Sequence, residues 1–78
     1  MAMSEVEWMK IFSANLREIL DESGMTQAEF ADELGVTQAA VSKYLHGKIM
    51  PSPRVLCNIA HLFEVDIYDI LYFGDFVE

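Results

Sequence analysis

Six residues in the middle of the chain carry its most usable chemistry: Thr37, Gln38, Ala39, Ser42, Lys43 and His46. At helical spacing they fall on one side, and Val41, Tyr44 and Leu45 fall on the other. The polar side offers an amide, hydroxyls, an ammonium and an imidazole, with no carboxylate among them. An amide can bond bidentately to adenine N6 and N7, and an ammonium can reach guanine O6 and N7. Gln38 and Lys43 therefore suit the edges of base pairs, and the methyl groups of Thr37 and Ala39 suit thymine methyls. Lys48 and Arg54 follow in the chain as candidates for phosphate contact, which sets register without reading sequence. The plain alternative is an ordinary solvated helix face. For Ser42 and His46 that alternative stands level with a binding role.

Charge sharpens the contrast. The chain carries 13 acids against five lysines and arginines, a net charge of −8. A body so acidic repels nucleic acid as a whole, because phosphate contact supplies most non-specific affinity. Distribution matters more than the sum. Residues 34–63 hold no acid and carry Lys43, Lys48 and Arg54, so that segment is +3. The remainder, with all 13 acids and only Lys10 and Arg17, stands at −11.

These residues need helices to hold them, and the sequence supplies five. Ser4-Glu5-Val6-Glu7 has the S-x-x-E form of a capping box. From there to Ser23, Met9, Phe12, Leu16, Ile19 and Leu20 make one apolar stripe, with Trp8 and Ile11 beside it, and Gly24 ends the helix. Thr26-Gln27-Ala28-Glu29 is a second capping box, opening a short helix to about Leu34 with Phe30, Ala31 and Leu34 inward. Gly35 permits the positive φ of a sharp turn. Thr37 caps a third helix through about Leu45. Ser52-Pro53 starts a fourth, to about Phe63, with Leu56, Ile59, Ala60 and Phe63 inward and Val55 and Leu62 to the side. Asp66 caps a fifth, ending near Tyr72 or Phe73. No stretch alternates at period two, so no sheet is expected. At 78 residues and 53% hydrophobic, the chain is expected to be one small folded domain.

Two helices joined by a glycine turn form a helix-turn-helix, here about 26–46. The run Gly24-Met25-Thr26-Gln27-Ala28-Glu29-Phe30-Ala31 resembles the Cro/lambda-repressor (XRE) family. So do Leu34-Gly35-Val36-Thr37-Gln38, Val41-Ser42-Lys43-Tyr44, Gly47-Lys48 and Pro51, and the last two helices at Ala60 to Val65 and Ile67 to Leu71. The likeness covers about 11–71. It implies an all-α, compact five-helix lambda-repressor-like DNA-binding domain with a central helix-turn-helix. It also implies a transcriptional regulator of repressor type, cytoplasmic and bacterial or phage-encoded, binding a double-stranded operator as a homodimer. Base contacts would come from Thr37, Gln38, Ala39, Ser42 and Lys43. Phosphate contacts would come from Gln27 at the start of the second helix, with His46, Lys48 and Arg54. Trp8, Ile11, Phe73 and Phe76 are the leftover apolar groups for a dimer face, unless they pack within one monomer.

One departure stands out. Many relatives join an arginine near the end of the first helix to a glutamate near the end of the recognition helix. The matching positions here are Leu20 and Leu45, which are expected to touch. Arg17 is expected to reach the DNA backbone or to pair with Asp21, four residues on. Asp32 and Glu33 are expected to lie in solvent away from the recognition face.

Other chemistry has little behind it. Cys57 and His61 are four apart but lack the further ligands of a structural zinc site, so no metal is expected. The single cysteine cannot close an internal disulfide. No nucleophile–base pair or glycine-rich phosphate loop points to an enzyme, and none points to a cofactor. No apolar run approaches the ~18 residues of a membrane span, and Glu5 and Glu7 interrupt any signal-peptide pattern. Two other readings stay open. One is an antitoxin whose acidic body neutralises a basic toxin. The other is a helix-turn-helix serving only as a protein-interaction module.

Overall fold

A computed structural model describes residues 4–72, which form five helices and, among the described residues, no strand. They are α1 (Glu5–Ser23), α2 (Gln27–Leu34), α3 (Gln38–Leu45), α4 (Pro53–Phe63) and α5 (Ile67–Tyr72). The start of each of the first four is set by a capping side chain. Ser4 Oγ accepts from Glu7 N at 3.2 Å while Glu7 Oε1 accepts from Ser4 N at 2.8 Å. Thr26 and Glu29 repeat the exchange at 3.1 and 2.9 Å. Ser52 accepts from Val55 N, with Pro53 in the first helical position where its missing N–H costs nothing. Each such cap contributes about 1 kcal/mol. Asp66 likewise accepts from Tyr68 N at 2.9 Å at the head of α5.

The helices share one core. Phe12 and Leu16 of α1, Phe30 of α2, Val41 of α3, Ile59 of α4 and Ile70 of α5 are all fully buried. Burying one such side chain stabilises by about 1.5–3 kcal/mol. Phe30 meets Phe63 with ring centroids 5.6 Å apart and planes tilted by 36°, a favourable aromatic geometry that joins α2 to α4. α1 packs against α3 and α5, α2 against α3 and α4, and α4 against α5. The long first helix thus backs α3 on one flank and α5 on the other.

One detail corrects the sequence reading of α4. Val55, expected at the side, is buried at 4% exposure, whereas Leu56 and Ala60 are only half-buried. The helix is turned about its axis so that Val55 and Ile59 lead the packing. An isolated stripe does not fix that rotation; the neighbours α2 and α5 do. The helix also ends without glycine: Glu64 takes the left-handed conformation at φ 55°, and its N–H bonds to the Ala60 and His61 carbonyls.

Candidate nucleic-acid interface

The turn between α2 and α3 decides where α3 points. Gly35 at φ 70° bonds its N–H to the Ala31 and Asp32 carbonyls, closing α2. Val36 N then bonds back to Ala31 O at 3.1 Å. Ala31 is buried where a larger side chain would force the two helices apart. Val36 is half-buried against the core, and Val41, Tyr44 and Leu45 are buried. The inner side of the motif is packing, as its residue types foretold.

The outer side is free at Gln38, Ala39 and Lys43, while Ser42 Oγ lies 3.4 Å from His46 Nδ1. Gln38, Ala39 and Lys43 are exposed, and Ser42 is half-buried. Among the described residues, the side chains of Gln38, Lys43, Lys48 and Arg54 make no hydrogen bond or ion pair. That contrasts with the polar side chains at the helix starts, which are spent on caps. Thr37 lies between the two cases. Its Oγ1 accepts from Ala40 N at 3.0 Å, capping α3, and the residue is exposed.

The flanking residues sit around this row. Gln27 is exposed in the first position of α2, where unpaired amide groups of the helix start face solvent. Lys48 is exposed and its N–H bonds to Lys43 O at 2.9 Å, tying the loop to α3. Arg54 is exposed in the first turn of α4. His46 follows α3 as its cap, and its Nδ1 lies 2.7 Å from Ser42 O. A carbonyl only accepts, so Nδ1 is the donor in this contact. Asp32 and Glu33 are exposed on α2, as expected.

A groove of about 550 Å³ opens where α1, the start of α2 and the end of α3 meet, lined by Arg17, Leu20, Met25, Gln27, Leu45 and His46 among others. Leu20 and Leu45 both line it, and both are buried, at 6% and 4% exposure. Arg17 does not pair with Asp21. Its Nη1 donates to the Leu45 carbonyl at 2.6 Å, crossing from α1 to the end of α3. Sequence could not show this, because the acceptor is main chain and lies 28 positions away.

Trp8 and Ile11 are half-buried, and Phe73 and Phe76 lie outside the described residues. Cys57 and His61 are both exposed, and no cluster of three metal-ligating side chains occurs among the described residues. None of the described helices is long and apolar enough to cross a membrane.

A helix-turn-helix family model, HTH_3, matches residues 16–70, most of the chain and all of the motif. The chain belongs to this Cro/C1-type helix-turn-helix family. It is a family of DNA-binding transcription regulators. An uncharacterised HTH-type transcriptional regulator of Archaeoglobus fulgidus is 37% identical over 60 residues, covering 77% of this chain and 86% of its own. YqaE of Bacillus subtilis, also an uncharacterised HTH-type transcriptional regulator, is 34% identical over 65 residues, which is 83% of this chain. The matched part spans 55% of YqaE's length. The solution structure of the SOS-response transcriptional repressor LexA from Eubacterium rectale superposes with a TM-score of 0.87. It covers the whole of this chain and 81% of its own at 23% identity, a likeness of fold.

Proposed function

We propose that this HTH-family chain regulates transcription by sequence-specific binding to double-stranded DNA, as a repressor, with α3 in the major groove. The observation that carries the reading is the row of exposed, uncommitted side chains on α3, set in a segment without a single acid. Gln38 and Ala39, at the helix start, meet base edges, with the Thr37 methyl beside them. Lys43, one turn on, reaches a guanine edge, and Ser42 can donate or accept beside it. Gln27 and the free amides of the α2 N-terminus take one phosphate. Lys48 and Arg54 take others. His46, the cap of α3, joins them at the end of the helix.

The acidic remainder weakens binding to arbitrary sequence, so affinity depends on the specific contacts and on two copies acting together. A homodimer would read a palindrome with half-sites about 34–36 Å apart. In vitro selection from a random DNA pool at low and moderate salt tests the reading. An enriched palindromic site is expected, and no enrichment at either salt removes the hypothesis. With a site in hand, Lys48→Ala should weaken all sequences alike and reduce the salt slope by about one.

A second reading is a regulator that also neutralises a basic protein, in the manner of an antitoxin. What favours it is a groove of about 280 Å³ between α1 and α5, with Ile19 and Val65 in its lining and Glu18, Glu22 and Asp69 beside them. Co-expression with the product of an adjacent small basic reading frame, followed by sizing, would separate the two readings. A complex lost on Glu18→Gln/Glu22→Gln supports the second one.

A further inference from the structure

The last carbonyls of a helix have no donor within it and must find one elsewhere. In α3 the following turn supplies most of them. His46 N bonds to Ser42 O at 3.0 Å, Gly47 N to Tyr44 O at 3.2 Å, and Lys48 N to Lys43 O at 2.9 Å. The Leu45 carbonyl is left for a donor from outside the turn, at the negative end of the helix dipole. That donor is Arg17, an exposed residue whose bond, at 2.6 Å, is itself partly buried. A charge-assisted bond of this kind is stronger than a neutral one and more demanding in direction.

Arg17 does not act on α3 from an isolated position. A Cβ placed on Gly47 would lie 3.3 Å from Ser13 Oγ and 3.6 Å from Met9 O, so the turn after α3 rests on α1. Met9, Ser13 and Arg17 are four residues apart and form one row along α1. This row seats the end of α3 by close approach under Gly47 and by a bond to Leu45. The start of α3 is held locally, by Thr37. The Leu20–Leu45 flank is apolar, and apolar contact has no direction of its own. The directional tie on that flank is Arg17.

We propose that Arg17 is a positioning residue for base recognition: it sets the angle of α3 and so the place at which Ser42 and Lys43 meet a base pair. This rests on α3 being the recognition helix. The size of the effect follows from helix geometry. Lys43 lies about 9 Å along the axis from Thr37, at 1.5 Å per residue. A tilt of about 10° at the start would move it by ~1.6 Å, well beyond the ~0.5 Å window of a good hydrogen bond. Contacts to phosphate by flexible lysines tolerate such a shift, and bidentate base contacts do not.

The test uses the full chain, its selected DNA site and an unrelated duplex, each titrated over a salt series. Arg17→Met keeps much of the side-chain stem and removes the donors. It should weaken binding to the selected site ~10-fold, the size of one charge-assisted bond. Binding to the unrelated duplex should change less than about two-fold, and the salt slope should stay as in the parent. Arg17→Lys, which keeps a donor, should recover most of the specific-to-non-specific ratio, and it serves as the readout if the methionine variant does not fold. Three results overturn the proposal. Equal loss on both duplexes with a salt slope lower by about one makes Arg17 a phosphate contact. An unchanged ratio with a lower unfolding temperature makes it structural only. An unchanged ratio in a lysine variant whose end of α3 has lost its amide-exchange protection separates the tie from recognition. If the parent itself selects no site, the proposed function fails first, and this role fails with it.

Discussion

α1 reaches across to main-chain carbonyls on both of its flanks, and the two contacts differ in kind. On one flank Asn15 Nδ2 donates to Ile70 O of α5 at 2.6 Å. On the other Arg17 donates to Leu45 O of α3, also at 2.6 Å. The residues are two apart, so they leave opposite sides of the buried stripe formed by Phe12, Leu16 and Leu20. The neutral amide holds α5, which carries none of the exposed cations. The guanidinium holds the helix that presents Lys43. One scaffold helix therefore fixes two neighbours, and under the proposed function only one of those bonds would bear on DNA. Packing energy alone would not reveal the distinction, because both bonds sit beside the same core.

Four substitutions can break or sharpen this contrast. The largest effect is expected from Leu20→Arg, on the α3 flank. Leu20 is 6% exposed with Leu45 in the same cluster, so a cation there gives up buried apolar packing and must be drawn out to the rim of the groove beside Arg17. The loss should be about 3–5 kcal/mol, enough to unfold a domain this small. Urea unfolding matching the parent would show that the flank is not sealed. Gln38→Ala comes next. It should cost ~1–3 kcal/mol on the selected site and relax preference at one base position. A uniform loss across sequences would move Gln38 from base to phosphate. Gly47→Ala should cost about 1–2 kcal/mol of stability, because φ is 68° and a Cβ would press on Ser13. Melting of that variant at the parent's temperature would remove the close seat of the turn on α1. The smallest change is Asn15→Ala, about 1 kcal/mol of stability for one lost hydrogen bond. Its salt slope and base preference should equal the parent's. A shift in either would erase the difference between the two flanks.

Much of this was legible in the chain. The capping boxes at Ser4–Glu7 and Thr26–Glu29 act over three residues, so reading them requires no knowledge of the fold. The same holds for Thr37, for Ser52-Pro53 and for Gly35. The split of α3 into a packed side and a free side follows from its helical period and from the types at Val41, Tyr44 and Leu45. The acid-free run from 34 to 63 was equally plain. The roles of Arg17, Ser13 and Val55 were not. Ser13 was one small residue in a helix, with no sign that a turn would rest on it. Val55 lay beside a stripe whose true centre depended on which neighbours arrived.

The sequence by itself determined where helices start, where they stop and which side of each is apolar, because those are local matters of hydrogen-bond supply and 3.6-residue spacing. Only the tertiary structure decided how α4 is turned about its axis and what holds the end of α3. Rotation is set by the shapes of facing helices, and the tie to α3 runs from a side chain to a backbone carbonyl 28 residues away. Every residue but proline has the same backbone N–H and C=O, so no residue type marks which carbonyl at the end of α3 is left for a donor from another helix.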